Sequence, residues 1–178
     1  MARLRIPVAP GDHMQGDPHA PITLVEYGDY QCPHCGRAYP IVKRVQKHFG
    51  DRLLLVFRNF PLTQSHPFAE SAAETAEFAA VHDRFWEMHD LLFENQQRLS
   101  PELFEELAAP LGLDPAALVY ALDSGEFTDR VRADFNGGVR SGVNGTPTFF
   151  INGERHDGPF DYPALVGAIN AALALSES

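Results

Sequence analysis

Cysteine is scarce in this chain, since its 178 residues contain only two, Cys32 and Cys35. Two cysteines exclude a framework of structural disulfides, and their scarcity fits a reducing compartment. Long apolar runs are absent as well, because none approaches the roughly 18 residues that a membrane-spanning helix requires. The length is that of one domain, or of one domain with an insertion. We therefore expect a globular chain without a membrane span.

The first residues also lack the features of a secretory signal. Arg3 and Arg5 are followed by Pro7, Pro10 and Gly11, where a signal peptide would have an apolar stretch. The sequence thus predicts a cytoplasmic location. The alternative is a periplasmic or exported protein from which a signal has been removed.

Positive charge is in deficit: 14 Lys and Arg face 24 Asp and Glu, for a net charge of −10. Residues 66–136 hold 15 of the acids and only 4 arginines, whereas the rest of the chain is nearly neutral. An acidic chain without a basic stripe argues against nucleic-acid binding. We interpret the acidic segment as solvated helix faces rather than as a dedicated partner surface.

The two cysteines form the tetrapeptide Cys32-Pro33-His34-Cys35, between an apolar run and a helix-compatible run. The thiolate is the reactive form of cysteine, and helix N-termini and nearby cations stabilise it. Pro33 suits the first helical turn because it has no N–H to leave unpaired. His34 can carry a positive charge beside the Cys32 thiolate. The pattern therefore favours thiol–disulfide exchange, with Cys32 as the nucleophile.

Three other uses of the tetrapeptide have less support. A structural zinc site takes four ligands, and no second Cys or His pair follows at ligand spacing. Attachment of c-type haem requires His directly after the second cysteine, where this chain has Gly36. A static disulfide across so short a loop restrains little of the unfolded chain. We expect no metal and no organic cofactor, only a redox-active Cys32–Cys35 disulfide.

The hydrophobic pattern predicts the order β-α-β, a helical block, then β-β-α. The predicted elements are strands at 21–27, 53–57, 145–151 and 154–156, and helices at 33–49, 67–80, 128–139 and after Asp161, with further helix starts at Ser100 and Asp114. A β-α-β unit is parallel and an Asn-Gly hairpin is antiparallel, so we expect a mixed sheet covered by helices. Residues 1–19, rich in proline and glycine, are predicted to be an irregular arm.

Glu26 lies near the end of the first predicted strand, six residues before Cys32. A carboxylate in a buried strand is unfavourable unless it is paired or protonated. Glu26 either exchanges protons with the second thiol through water, as a general base, or points to solvent at the end of the strand. Spacing alone leaves both interpretations open.

This order of elements, with Cys-x-x-Cys after the first strand and Thr-Pro before a late strand, resembles the thioredoxin superfamily. The helical insertion resembles that of its DsbA-like branch. Residues 26–35 (EYGDYQCPHC) and 142–153 (GVNGTPTFFING) look like the two signature stretches of this branch. The resemblance covers nearly all of residues 20–175. It implies an α/β thioredoxin fold, with a mixed central sheet flanked by helices and an inserted α-helical subdomain.

The resemblance also implies roles for individual residues. Cys32 is then the attacking thiol, Cys35 the resolving thiol and Glu26 the buried acid. Pro147 is expected to be cis, which places the backbone of Thr146 beside the disulfide, where it pairs with a bound peptide. Thr146 stands where dedicated oxidases of this branch usually have valine, and it is similar to the residue that thiol isomerases carry. This departure argues against a pure oxidase.

The predicted function is therefore a protein disulfide oxidoreductase of the DsbA-like kind. Its expected partners are protein or peptide thiols and disulfides, with glutathione or a thioredoxin-type reductant as further candidates. A glutathione-dependent transferase or isomerase of the same fold is one alternative, although the intact cysteine pair argues against it. A non-catalytic redox-sensing interaction module, split from or fused to a transporter, is another. The predicted domains are an arm (1–19), the thioredoxin-fold domain (20–65 and 137–178) and the helical insertion (66–136).

Overall fold

A five-stranded mixed sheet forms the centre of the computed structural model, which describes residues 2–177. The strands are β1 (His13–Gly16), β2 (Ile22–Gly28), β3 (Leu53–Asn59), β4 (Thr148–Ile151) and β5 (Glu154–Arg155), in the spatial order β1-β3-β2-β4-β5. β2 runs parallel to β3 and antiparallel to β4, and the edge strands β1 and β5 are antiparallel to their neighbours. The predicted α/β class and mixed sheet are confirmed.

Seven α-helices accompany the sheet within residues 2–177. They are α1 (Pro33–Phe49), α2 (Ala69–Ala80), α3 (Phe85–Glu94), α4 (Pro101–Ala108), α5 (Pro115–Ser124), α6 (Thr128–Arg140) and α7 (Tyr162–Ser176). Helices α2 to α6 follow one another between β3 and β4, and the segment 68–140 that contains them is here called the helical block. The remaining elements are called the frame. None of the helices in the described residues combines the length and apolarity needed to cross a bilayer. The residue boundaries of the predicted domains stay a prediction.

Alternate residues of the central strands serve two separate cores. Leu24 and Leu55 pack with α1 and α7, whereas Val25 and Val56 pack on the opposite face of the sheet. A third core joins the helical block to Phe57 and to both cysteines. The cysteine pair therefore lies at the junction between the frame and the helical block.

Helix α1 spans the residues that the sequence predicted. Its buried face repeats at helical spacing and consists of Cys35, Ala38, Val42, Val45 and Phe49. Pro33 occupies the first turn, and Gly50 ends the helix with φ +56°, a backbone conformation that favours glycine. Because β2 leads into α1 through a loop of four residues, the helix begins at the carboxyl end of a central strand.

The N-terminal segment is not irregular throughout, contrary to what its composition predicted. His13–Gly16 forms β1, which pairs with β3 and places His13 opposite Phe57. The His13 ring stacks on Phe85 at a centroid distance of 3.7 Å, and its Nε2 lies 2.8 Å from Glu77 Oε2. These partners are more than forty residues away along the chain, so local composition carried no signal of the strand.

The predicted helix caps and the predicted hairpin turn are both present. Side-chain oxygens of Ser100, Asp114 and Asp161 accept hydrogen bonds from backbone N–H groups in the first turns of α4, α5 and α7, at 3.1, 3.0 and 2.9 Å. Asn152 and Gly153 both have positive φ, as a tight hairpin between β4 and β5 requires. These short-range features depend on a few adjacent residues, which is why the sequence predicted them well.

Candidate functional site

The candidate site is built on residues 29–32, the loop between β2 and α1. Asp29 is almost fully buried, and its Oδ1 accepts hydrogen bonds from the backbone N–H groups of Gln31 at 2.7 Å and Cys32 at 3.2 Å. Its Oδ2 accepts from Leu62 N at 2.9 Å. A carboxylate that bonds the backbone two residues on forms an Asx turn, which shapes the chain locally. Asp29 thus holds Cys32 at the N-cap position of α1.

The environment of Cys32 favours its thiolate. A hydrogen bond from the Cys35 thiol is the main cause that lowers the pKa of Cys32 from 9.0 to about 5. Burial opposes this shift, whereas Thr146 and the backbone N–H groups of Cys35 and His34 add to it. These N–H groups belong to the first turn of α1, whose unpaired donors and dipole attract negative charge. Cys32 is therefore mostly ionised at neutral pH.

Cys35 has the opposite character. It is completely buried, and burial raises its pKa well above the usual 9.0, with the hydrogen bond to Cys32 and the charge of Glu26 acting in the same direction. Asp29 N–H donates to Cys35 Sγ at 3.5 Å. Both cysteines are free thiols in this structure. Cys32 is also largely buried, with 3% of its surface exposed. The two sulfurs, three residues apart, thus differ in protonation: Cys32 favours the thiolate and Cys35 the protonated thiol.

Glu26 is buried, so the interpretation that it points to solvent is wrong. It lies in β2 opposite Phe57 of β3 and Phe149 of β4, with 3% of its surface exposed. Burial raises its pKa to about 8, and its Oε2 has no hydrogen-bond partner among residues 2–177. The charge of Glu26 acts on Cys35. A buried carboxyl with a pKa near neutrality has the character of a group that passes protons.

The loop before β4 approaches Cys32 from the other side. The Thr146–Pro147 peptide bond is cis, and Thr146 O lies 3.6 Å from Cys32 Sγ. Thr146 Oγ1 is buried and has no other partner in the described part of the chain, so it is available to donate to the thiolate whose pKa it lowers. β4 begins at Thr148 rather than at the predicted residue 145, since pairing with β2 starts there, and Thr146 lies beside Cys32 instead.

Pro33 and His34 have exposed side chains in the first turn of α1. His34 acts on Cys32 through its backbone N–H, and its Nδ1 accepts a hydrogen bond from Arg37. The effect of a positive charge on its imidazole stays a prediction. The structure brings all the predicted site residues into one region: Glu26, Cys32, Pro33, His34, Cys35, Thr146 and Pro147.

Several residues that hold the loop 29–32 were missed by the sequence analysis. Asp29 had a local signal, since an aspartate just before a helix start is typical of an Asx turn. Tyr30 and Gln31 had none. The Tyr30 hydroxyl bonds His89 Nδ1 at 2.9 Å, and Gln31 Oε1 accepts from Phe68 N at 2.7 Å. Both partners lie in the helical block, and proximity across such a separation cannot be read from one sequence.

Metal binding has no structural support in residues 2–177, where no three His, Cys, Asp or Glu side chains are grouped to hold an ion. The absence of any cofactor stays a prediction.

Comparison with known proteins identifies the family. A profile of the thioredoxin family matches residues 8–171, and the chain belongs to this family. Oxidised BdbD from Bacillus subtilis is 28% identical and superposes with a TM-score of 0.87, covering 97% of this chain and 98% of that one. α-DsbA1 from Wolbachia pipientis shares the fold at 21% identity, with a TM-score of 0.83 over 97% and 96% of the two chains. Within the superfamily the chain is DsbA-like.

The chain is also similar to one part of several longer proteins that are named as antiporters. A Na(+)/H(+) antiporter NhaA 3 from Salinispora tropica is 42% identical over 172 residues, which are 96% of this chain and 26% of the relative. The chain thus spans about a quarter of the length of the curated relatives it matches. The similarity concerns one segment of those proteins.

Proposed function

We propose that this chain is a thiol–disulfide oxidoreductase that exchanges disulfides with protein or peptide substrates. The observation that carries the proposal is the opposite behaviour of the two thiols. The pKa of Cys32 is lowered to about 5, whereas burial raises that of Cys35. A thiolate at neutral pH is the form that attacks a disulfide, and a protonated second thiol reacts only after the first has done so.

In the reductive direction, the Cys32 thiolate attacks one sulfur of a substrate disulfide and displaces the other as a thiolate. Cys35 then loses its proton and attacks the Cys32 sulfur of the mixed disulfide, so that Cys32–Cys35 forms and the second substrate thiolate leaves. Glu26, buried and with a raised pKa, is the proposed acceptor of that proton. The substrate gains two electrons and the cysteine pair loses two. The reverse sequence oxidises a substrate dithiol.

The remaining predicted residues shape the surroundings of Cys32. We assign the backbone of Thr146, fixed by Pro147, to pairing with an extended substrate peptide, since its carbonyl lies beside the reactive sulfur. Pro33 and His34 begin the helix whose N–H groups stabilise the thiolate. In this scheme the Cys32–Cys35 pair is the redox centre, and no metal or organic cofactor is required.

Replacement of each cysteine tests the mechanism. Cys32→Ser should abolish reduction of insulin disulfides, because serine does not attack a disulfide. Cys35→Ser should still attack but should accumulate mixed disulfides, visible on non-reducing gels, because the resolving thiol is missing. Insulin reduction by Cys32→Ser at the wild-type rate would overturn the proposal.

The direction of electron flow follows from the reduction potential, measured by equilibration with glutathione buffers and alkylation of the thiols. Stabilisation of the Cys32 thiolate favours the reduced pair, so we expect a value nearer to about −120 mV, typical of a strong oxidant, than to about −270 mV, typical of a thioredoxin-like reductant. An oxidising value would argue for an exported location. The predicted cytoplasmic location receives no support from the comparisons.

A second candidate function is that of a redox-responsive module of a transport protein. The observation that favours it is the 42% identity to one segment of a protein named as an antiporter. Turnover separates the two functions, since an enzyme reduces many equivalents of insulin per molecule. A module would react once and would bind its partner in one redox state only.

Calorimetry with glutathione tests the glutathione-dependent alternative.

A further inference from the structure

Gln96 connects the helical block directly to the redox-active turn. It begins a short 3-10 turn, Gln96–Arg98, that follows α3. Its Nε2 donates to the carbonyl oxygens of Tyr30 at 2.9 Å and of Cys32 at 2.8 Å. Both amide hydrogens of one side chain are thus used on the two carbonyl groups that flank Gln31.

The contact with Cys32 lies where α1 begins. Cys32 O also accepts a hydrogen bond from Gly36 N at 3.0 Å, the first bond of the helix. Gln96 therefore holds the peptide group whose orientation sets the first turn. The direction of the His34 and Cys35 N–H groups toward the sulfur depends on that same turn.

Gly36 provides a second, independent observation. A Cβ atom at this position would lie 2.2 Å from Gln96 Oε1 and 2.9 Å from Gln96 Cδ. Glycine is less favourable than alanine inside a helix, so its presence in the first turn of α1 needs a reason. The Gln96 side chain supplies one, because it occupies the space that any larger residue at position 36 would take.

The other hydrogen bonds from the helical block reach neighbours of Cys32 but not Cys32 itself. Phe68 N bonds the Gln31 side chain, and His89 bonds the Tyr30 hydroxyl. Among the hydrogen bonds described for residues 2–177, it is Gln96 through which the helical block contacts the reactive residue. Its position, more than sixty residues from Cys32, explains why the sequence motif does not include it.

We propose that Gln96 is a positioning residue for the Cys32 thiol, because its hydrogen bond to the Cys32 carbonyl fixes the first turn of α1. Gly36, which has no side chain, leaves the space that the Gln96 side chain occupies. The proposal rests on the proposed function only in giving the Cys32 thiol a role. Gln96 touches no reacting atom and acts through the backbone. Through Gln96, the acidic helical block would thus help to set the reactivity of the Cys32 thiol in the frame.

The pKa of Cys32, measured from the pH dependence of its alkylation by iodoacetamide in the full chain, tests the proposal. In Gln96→Ala the first turn loses its tether, so we expect the acid dissociation constant of Cys32 to fall about three- to tenfold, as for loss of a typical hydrogen bond. Gly36→Ala should produce a similar fall, because its methyl group displaces the flexible Gln96 side chain. In the double variant the two effects should not add, since alanine at position 96 leaves room for the methyl group.

Gln97→Ala is the matched control, because Gln97 is the same residue type in the same turn, is exposed, and makes no side-chain hydrogen bond within the described residues. An unchanged Cys32 pKa in Gln96→Ala, an equal shift in Gln97→Ala, or additive effects in the double variant would each overturn the proposal. If Gln96→Ala fails to fold, Gly36→Ala tests it alone, since there the glutamine is displaced but present. Insulin turnover by the wild type, measured in parallel, shows separately whether the proposed function fails.

Discussion

The frame and the helical block contribute to the site in different ways. Every residue assigned to the chemistry lies in the frame: in β2, in the first turn of α1 and in the loop before β4. The helical block contributes hydrogen bonds to the loop 29–32, from Phe68, His89 and Gln96. The reactive groups therefore come from short local motifs, whereas several of the contacts that orient them come from a region distant in the chain.

The two regions also differ in how burial acts on charge. In the frame, Glu26 lies in a central strand without a partner for Oε2, and its pKa rises to about 8. In the helical block, Glu77 is equally buried, but hydrogen bonds from His13 and Asn59 and the charge of Arg130 outweigh burial and lower its pKa. A buried acid with partners stabilises the fold as an anion, whereas a buried acid without partners favours its protonated form.

The largest expected effect comes from removing the unpaired acid of the frame. The pKa of Glu26 rises from 4.5 to about 8 on folding, so between these pH values the fold holds a proton that the unfolded chain has released. Glu26 therefore lowers the free energy of unfolding as pH rises through this window. Glu26→Gln should be more stable than the reduced wild type by about 4 kcal/mol at pH 9, and close to it at pH 4. Urea unfolding at several pH values measures this difference.

Cys32→Ser is the control for this prediction, because it should change the pH dependence of the stability in the opposite direction. The pKa of Cys32 falls from 9.0 to about 5 on folding, so its thiolate stabilises the reduced protein increasingly between these values. The serine variant should lose stability relative to wild type as pH rises. A pH-independent difference between Glu26→Gln and wild type would contradict the assigned burial of Glu26.

An intermediate effect is expected from Thr146, which lies beside Cys32 in the loop before β4. Thr146→Val removes the hydroxyl that is free to donate to the thiolate, so the pKa of Cys32 should rise by about one unit. The reduction potential should then fall by about 30 mV, because the reduced pair is less stabilised. Ultraviolet absorbance of the thiolate and equilibration with glutathione measure the two quantities. The exposed Thr63→Val is the matched control, and an equal shift there would argue against a direct contact.

The smallest effect is expected from a substitution in the helical block that leaves the loop 29–32 untouched. Ser100→Ala removes the N-cap of α4, so the free energy of unfolding should fall by about 1 kcal/mol. Ser100 makes no hydrogen bond to the loop 29–32, so the reduction potential should stay at the wild-type value. A shift in potential without contact would mean that the stability of the whole block, rather than Gln96, sets the reactivity of Cys32.

Much of the frame could be predicted from the sequence because its signals are local. The apolar runs of β2 and β3, the helical spacing after Pro33 and the Asn152-Gly153 turn each depend on a few adjacent residues. The same is true of Cys-x-x-Cys, where the helix start and the proposed nucleophile coincide. β1 could not be predicted in this way, since its four residues gain their stability from β3 and from Phe85.

By itself, the sequence determined the order of the elements from β2 onward and the proposed nucleophile with its partner thiol, because these depend on spacing along the chain. Only the tertiary structure decided that Glu26 is buried with Oε2 unpaired, that the Thr146 hydroxyl is buried and unpaired, and that Gln96 fills the space beside Gly36. Each of these depends on which distant surfaces meet. Burial and long-range contact set the pKa values of the two thiols, and no stretch of sequence contains that information alone.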